Sequence, residues 1–456
     1  MTGSAPAADQ VGQRYPLSFT QEWFITLDQG DAGGAFGRRF ILVQPLRVTG
    51  HVNLEVLQGA LDDVVARHEL LRTLVIRDAD PPYQLVLPPC PVPLQVRDLP
   101  QVSAKSRDLV AQELVIEAEA GTMSAREVPM LRALLCRFDD RDSVLFLTVH
   151  HSVSDLWSVQ VILRDLAAFY VARSSGIPAK LPQVRQYHEY AEWQRASSAN
   201  PGDDGSPTYW RKKLDGAREY TMPNDRDHPE SYSRPYSLYA HVIDADVMAA
   251  ASAIARSARC SVFTVLLSAY YVLAHKLTGT TDPAIRAFTA GRDELQFQNT
   301  MGLFLNVVPF RTDLSGCTSF RDIVRHTRET LIDAIAHELP VGVIEETFPD
   351  FIKSRDDTRT SQFIISNLES QFGDDALPIA EGACGVPQSD LQVPEFHDIP
   401  SGMVWNLGLE PSGELNGGVL YNRDEFDEST VQGLVADLQQ ILTGAVSEPD
   451  RDWRKL

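Results

Sequence analysis

The segment VLFLTVHHSVSDLWS, residues 144–158, decides which local fold the chain predicts. Residues 144–150 form an apolar run with several β-branched side chains, which is typical of a strand covered on both faces. Helical periodicity follows at once in DLWSVQVILRDLAAFYVAR, and Ser154 or Asp155 is suited to cap the start of that helix. The segment therefore predicts a strand, a short loop that carries two adjacent histidines, and a helix.

The rest of the chain alternates helical and strand patterns in the same way, which predicts an α/β or α+β fold. Asn53 can cap a helix through LEVLQGALDDVVARHE, and strands are predicted in LRTLVI at 71–76 and in RPYSLYAHVI. Residues 196–207, ASSANPGDDGSP, are small, polar and rich in Gly and Pro, as linkers are. We expect two comparable lobes, residues 1–180 and 216–456, joined by a linker or crossover at 181–215.

Composition excludes several classes of function. The net charge of -21 and the pI near 4.9 disfavour binding to nucleic acid or to an anionic membrane surface. The five cysteines are scattered without metal-ligand spacing, so neither a disulfide framework nor a zinc site is indicated. The N-terminus lacks the pattern of a signal peptide, and the most apolar stretch, 262–274, is too short to span a bilayer. A cytoplasmic protein is expected.

The two histidines cannot have the same role, because successive side chains on a strand point to opposite faces. A neutral imidazole with a pKa near 6.5 accepts a proton from an amine or alcohol close to neutral pH. A metal site is disfavoured, since adjacent histidines diverge and Asp155 alone does not complete a set of ligands. The spacing leaves open whether His150 and His151 serve as a catalytic base or only as packed residues at a strand end.

The resemblance of several segments to a known family favours the catalytic alternative. HHSVSDLWS is similar to the HHxxxDGxS signature of the condensation domains of nonribosomal peptide synthetases, which belong to the chloramphenicol-acetyltransferase-like superfamily. Further segments resemble that family's motifs in order along the chain: YPLSFTQEWF at 15–24, RHELLRT at 67–73, YHEYAEWQR at 187–195, MGLFLNVVPFR at 301–311, AHELPVGVIEE at 336–346, SQFIISN at 361–367 and GGVLYNRDEFDESTV at 417–431.

The resemblance implies two acetyltransferase-like lobes in a V-shaped pseudo-dimer, with the active site in a tunnel between them. Matched to the motif, His151 is the catalytic residue, His150 and Asp155 support the loop, and Asp155 pairs with Arg67. The substrate tunnel would be lined by residues of four segments: Leu156, Trp157, Gly302, Asn306, Asn367 and Trp405. Leu156 departs from the motif, which has glycine there, and Asn406 stands where the family often has aspartate.

The implied reaction transfers an acyl or aminoacyl group from the phosphopantetheine thioester of a carrier protein to an alcohol or amine. Because the resemblance fills the chain, it implies a free-standing enzyme whose partners are an acyl-loaded peptidyl carrier protein and a small-molecule acceptor. Free-standing relatives in natural-product pathways, including enediyne antibiotic assembly, favour an ester over an amide. Acyl transfer from a thioester needs positioning and proton transfer, so no cofactor and no metal is expected.

Two alternatives share the signature. Epimerisation domains invert a carrier-bound aminoacyl group, and recruitment modules of the same fold bind partner enzymes without catalysis. Such modules have usually lost the second histidine, which is present here as His151. Plant-type CoA acyltransferases carry a late DFGWG motif that this chain lacks, and heterocyclising relatives replace both histidines with aspartates.

Overall fold

A computed structural model describes residues 12–198, 205–229, 236–367, 377–385, 402–410 and 412–456. The chain forms two compact units: residues 1–199, 290–305 and 370–398 belong to the first, and 200–289, 306–369 and 399–456 to the second. The predicted boundary assigned all of 216–456 to one lobe. The structure differs because segment 290–305 packs on the helix after the two histidines, and strand 382–385 pairs within a sheet of the first unit.

The strands and helices alternate along the chain as the patterns predict. The strands are β1 (Gln13–Pro16), β2 (Ile41–Thr49), β3 (Thr73–Ile76), β4 (Tyr83–Val86), β5 (Leu94–Asp98), β6 (Leu131–Asp139), β7 (Asp142–His150), β8 (Thr221–Pro223), β9 (Tyr236–Ile243), β10 (Ala284–Thr289), β11 (Asn306–Arg311), β12 (Thr360–Asn367), β13 (Gly382–Gly385), β14 (Met403–Leu409) and β15 (Leu415–Asn422). The helices are α1 (Phe19–Thr26), α2 (Leu54–Arg67), α3 (Arg107–Glu119), α4 (Leu156–Ser175), α5 (Tyr187–Ser198), α6 (Ser206–Lys213), α7 (Ala245–Ala258), α8 (Val262–Thr278), α9 (Phe320–Ala336), α10 (Val341–Thr347) and α11 (Glu428–Ser447).

The first unit is built on a sheet with the strand order β13-β2-β7-β6-β5, in which only the β5–β6 pair is parallel. Helices α2 and α4 contribute to the core cluster that contains Val149, while α3 packs in a second cluster with Phe146. Strand β7 is therefore covered on both faces, as its apolar sequence predicts. A smaller sheet has the order β1-β4-β3.

The second unit contains a mixed sheet with the order β11-β10-β12-β14-β15-β9, and β8 pairs with β12 at its end. Its core includes the fully buried Trp210, Trp405 and Trp453, together with apolar residues of α7, α8, α9 and α11. Both units combine helices with sheets, so the predicted α/β class is confirmed.

The local predictions around the opening segment are confirmed. Strand β7 ends at His150, and Asp155 rather than Ser154 is the N-cap of α4. Asn53 caps α2 through hydrogen bonds from the amides of Glu55 and Val56, at 3.1 and 3.2 Å.

Two other predictions differ from the structure or extend beyond its described part. Strand β3 begins only at Thr73, because residues 69–72 form a 3₁₀ turn. The linker prediction at 196–207 overlaps the end of α5 and the start of α6, and residues 199–204 lie outside the described residues.

Among the described residues, no single helix is both long and apolar enough to cross a membrane. Helices α7 and α8 reach the required length and composition only together, and a bend of 106° separates them.

His241 of β9 is a buried histidine whose ring lies directly over Gly417 of the neighbouring strand. A Cβ atom at position 417 would approach the His241 ring to 2.2 Å, so glycine is required there. Neither ring nitrogen has a hydrogen-bond partner among the described residues, and the ring centroid lies 6.3 Å from that of Trp405. Burial lowers the pKa of His241 to about 4.

We predict that His241 makes the protein less stable in acid. In the unfolded chain its pKa returns to about 6.5, so the unfolded state binds an extra proton between pH 6.5 and pH 4. Above pH 6.5 the ring is neutral in both states and the free energy of unfolding is not reduced. As the pH falls to 4, protonation of the unfolded state lowers the free energy of unfolding by about 3 kcal/mol. His241→Leu should therefore show a smaller loss than wild type when free energies of unfolding in urea are measured at pH 7 and 4.5. Equal losses for the two proteins would contradict the prediction.

Candidate active site

The candidate site is the loop between β7 and α4 in the first unit. β7 ends at His150, residues 151–153 form a 3₁₀ turn, and α4 begins at Leu156. The loop is fixed at its far end by the carboxylate of Asp155, which accepts a hydrogen bond of 2.8 Å from the amide of Ser158. This N-cap determines where the strand-to-helix connection ends.

His150 is buried, and both of its ring nitrogens are used within the protein. Nε2 donates to the carbonyl of Gly37 at 3.1 Å, while Nδ1 accepts from the amide and the hydroxyl of Ser152 at 3.1 and 2.8 Å. Burial lowers the pKa of His150 to about 4, so the ring is neutral at pH 7. With no nitrogen available to a substrate, His150 acts as a support of the loop.

His151 has a different arrangement, because only one of its ring nitrogens has a hydrogen-bond partner among the described residues. Nδ1 donates a hydrogen bond of 2.7 Å to the carbonyl of Ser154, and its backbone amide donates to the carbonyl of Phe40 at 2.8 Å. The side chain is partly exposed, and burial of the ring lowers its pKa below the usual value. Because Nδ1 carries the proton, Nε2 has a free lone pair and can accept a proton from a substrate.

Asp155 pairs with Arg292 and not with Arg67, which corrects the sequence-based prediction. Nη2 of Arg292 lies 3.0 and 3.2 Å from the two carboxylate oxygens of Asp155, and the side chains of both residues are almost completely buried. The amide of Phe304 adds a third donor, at 3.0 Å from Oδ2.

Arg67 instead donates to Asp165 of α4 at 2.7 Å, and Asp165 also accepts from Nε2 of His68 at 2.8 Å. The physical reason is distance along the helix. Asp165 lies ten residues after Asp155 in the sequence, which is about 15 Å along α4. Arg67 ends α2, which packs alongside α4, and its side chain pairs with Asp165, so it does not reach the loop that carries the two histidines.

Arg292 is a residue of the candidate site that the sequence did not predict. Its guanidinium also donates to the hydroxyl of Ser158 at 2.8 Å and to the carbonyl of Thr300 at 2.7 Å, and it lies 3.9 Å from the centre of the Phe304 ring. Burial lowers its pKa, and the neighbouring Asp155 opposes that effect. Nothing in the local sequence TAGRDELQ distinguishes this arginine from a solvated one, because its burial depends on contacts far along the chain.

Gly302 is buried in the same cluster, where its backbone amide and carbonyl contact the hydroxyl of Ser158 at 2.8 and 2.7 Å. A Cβ atom at this position would approach the ring of Tyr187 to 2.2 Å. The structure therefore places Gly302 at a close packing contact, although the sequence predicted that it lines the substrate tunnel.

Leu156 and Trp157 follow the loop at the start of α4. Leu156 is 48% exposed, so the residue that replaces the family glycine projects away from the packed core. Trp157 is partly buried and its indole donates to the carbonyl of Gln298 at 2.9 Å. Leu156 is thus the most exposed of the predicted tunnel residues whose side chains the structure describes.

The other three predicted tunnel residues belong to the second unit. Asn306 is buried, and its side-chain amide binds the segment before α10. It donates to Glu338 and to the carbonyl of Leu339, both at 2.8 Å, and it accepts from the amide of Val341 at 2.8 Å. Trp405 is fully buried in the core of that unit. Asn367 ends β12, but its side chain lies outside the described residues.

Within the described residues, no group of three or more His, Cys, Asp or Glu side chains is placed to hold a metal ion. The arrangement around His151 can remove and return a proton through Nε2.

Comparisons with known proteins identify the family of the chain. The model of the condensation-domain family matches residues 11–456. The crystal structure of the SgcC5 protein from Streptomyces globisporus, in complex with (R)-(-)-1-(2-naphthyl)-1,2-ethanediol and sucrose, has a TM-score of 0.88 and 35% identity, covering 96% of this chain and all of that one. The X-domain from teicoplanin biosynthesis has a TM-score of 0.78 and 25% identity, covering 100% of this chain and 98% of that one.

The chain is also similar in sequence to curated nonribosomal peptide synthetases. The probable non-canonical nonribosomal peptide synthetase CymA of Salinispora arenicola is 32% identical over 455 residues, which cover 96% of this chain and 6% of CymA. The chain spans 11% or less of the length of the first curated relatives it matches.

We predict that Asp155→Ala lowers the free energy of unfolding by about 3–5 kcal/mol, because it leaves the buried charge of Arg292 without its partner. The same change removes the cap of α4, and the effect should appear as a lower midpoint in thermal or urea unfolding. Arg67→Ala is the matched control: the buried Asp165 keeps Arg164 and His68 as partners, so the loss of Arg67 should cost clearly less. An equal or larger cost for Arg67→Ala would contradict the assignment of the pair.

Proposed function

The chain belongs to the condensation-domain family, and we propose that it transfers an acyl group from a phosphopantetheine thioester to the hydroxyl or amine of a small acceptor. The donor would be presented by a peptidyl carrier protein. Membership of the family supports bond formation as the class of reaction. The observation that carries the proposal is the hydrogen bond from Nδ1 of His151 to the carbonyl of Ser154, since it leaves Nε2 as the proton acceptor.

In the proposed step, the acceptor oxygen or nitrogen attacks the thioester carbonyl while Nε2 of His151 takes its proton. A new C–O or C–N bond forms and the C–S bond breaks. The proton on Nε2 then passes to the leaving thiolate, so the products are an ester or amide and the free phosphopantetheine thiol. Proton transfer by a positioned histidine typically contributes 10²–10⁴-fold to such a reaction.

An ester is the product that we favour. The support comes from the SgcC5 structure, which contains a diol, and that protein is 35% identical to this chain over almost its whole length. The lowered pKa of His151 is compatible with this choice, because the imidazole is neutral and able to accept a proton at pH 7. No cofactor is needed for either product.

The second candidate is a recruitment module without catalysis. It is considered because the X-domain from teicoplanin biosynthesis, which is similar to this chain, forms a complex with OxyB. The candidate site favours the enzyme. A module that only binds a partner has no need of a histidine whose one nitrogen is fixed and whose other nitrogen is left with a free lone pair.

The test uses the purified chain with acyl-pantetheine thioesters as donors, and an aromatic 1,2-diol or the corresponding amino alcohol as acceptor. Product formation is followed by mass spectrometry for wild type, His151→Ala and His51→Ala, the last being an exposed histidine of the same unit. We expect ester from wild type and His51→Ala, and a loss of at least 100-fold in His151→Ala.

Each other outcome has a definite meaning. Equal product from wild type and His151→Ala would contradict the role of His151. Deuterium uptake at the donor α-carbon without a new ester or amide would favour an epimerase. Binding of a carrier or partner protein with no turnover in any assay would favour the recruitment module.

A further inference from the structure

The ring of Phe40 covers one face of the His151 imidazole. The two ring centroids are 4.6 Å apart with an interplanar angle of 10°, so the rings are stacked almost parallel. Phe40 is partly exposed and immediately precedes β2, and the first residue of β2, Ile41, pairs with His150. The register of the sheet therefore places Phe40 opposite His151.

A second contact joins the same two residues through the backbone. The amide of His151 donates to the carbonyl of Phe40 at 2.8 Å. This bond fixes the position of the His151 backbone relative to Phe40, and the stacked rings then fix the side chains.

Phe40 is itself held by an aromatic neighbour. The ring of Phe24, buried on α1, lies 5.8 Å from Phe40 in a tilted arrangement and 6.4 Å from His151 in an edge-on one. Aromatic pairs at these separations prefer such offset or edge-on geometries. Phe24 thus limits the positions that the Phe40 ring can adopt.

We propose that Phe40 is a positioning residue that fixes the plane of the His151 imidazole and thereby the direction of its Nε2 lone pair. The hydrogen bond from Nδ1 to Ser154 restrains the ring at one atom, and the phenyl face restrains its rotation. The direction of the lone pair matters because a base removes a proton efficiently only when its lone pair points at the O–H or N–H group of the substrate. The inference rests on the proposed role of His151 as the base.

The test compares Phe40→Leu, which keeps apolar volume without a ring, with Phe40→Tyr, which keeps the ring. Using the donor and acceptors named above, we expect Phe40→Leu to lower kcat by about 10- to 100-fold while KM changes little. Phe40→Tyr should retain most of the wild-type kcat. Phe348→Leu, a partly buried phenylalanine of the second unit, controls for the loss of a ring elsewhere.

A second measurement does not depend on activity. In proton NMR spectra, the Hε1 signal of His151 should be shifted upfield by the Phe40 ring in wild type and Phe40→Tyr, and should lose that shift in Phe40→Leu. If Phe40→Leu lowers the midpoint of thermal unfolding, Phe40→Met replaces it.

The outcomes distinguish the positioning role of Phe40 from the role of His151 as the base. A wild-type kcat in Phe40→Leu, together with the loss of the ring-current shift, would overturn the positioning role and leave His151 as the base. A missing ring-current shift in wild type would overturn the stack itself. Full turnover in His151→Ala would refute the proposed function, and the positioning role would fall with it.

Discussion

The carboxylate of Asp155 accepts hydrogen bonds from the first turn of α4, from the side chain of Arg292 and from the amide of Phe304. Arg292 is 137 residues further along the chain, so this carboxylate joins segment 290–305 to the start of α4. Both charged groups are buried, and each neutralises the other. Removing either one would leave an unpaired charge inside the protein, which costs free energy of folding. The loop that carries His151 runs from the end of β7 to this fixed point.

The geometry of the two histidines follows from the fixed ends of that loop. His150, the last residue of β7, is turned into the protein, where Gly37 and Ser152 use both of its nitrogens. His151 begins the 3₁₀ turn, and the carbonyl of Ser154 is brought within 2.7 Å of its Nδ1. Two chemically identical side chains therefore obtain different tautomers, and in the described part of the chain only His151 is left with a ring nitrogen that has no hydrogen-bond partner.

Local structure could be predicted from the sequence because it depends on neighbours. Each local prediction depends only on residues that are close together in the sequence. This holds for the apolar run of β7, the periodicity of α4 and the cap at Asn53. The pairing of Asp155 could not be predicted in this way. Arg67 and Arg292 have the same side chain, and only the packing of α2 beside Asp165, and of segment 290–305 beside α4, determines which of them reaches Asp155.

The central claim is that His151 is a neutral base with its proton on Nδ1 and a free lone pair on Nε2. The most direct measurement is nitrogen-15 NMR of the His151 ring at pH 7, with His151→Ala used to assign the signals. The structure predicts a protonated Nδ1 and an unprotonated Nε2, which have clearly different shifts. A proton on Nε2, or a doubly protonated ring at that pH, would contradict the claim.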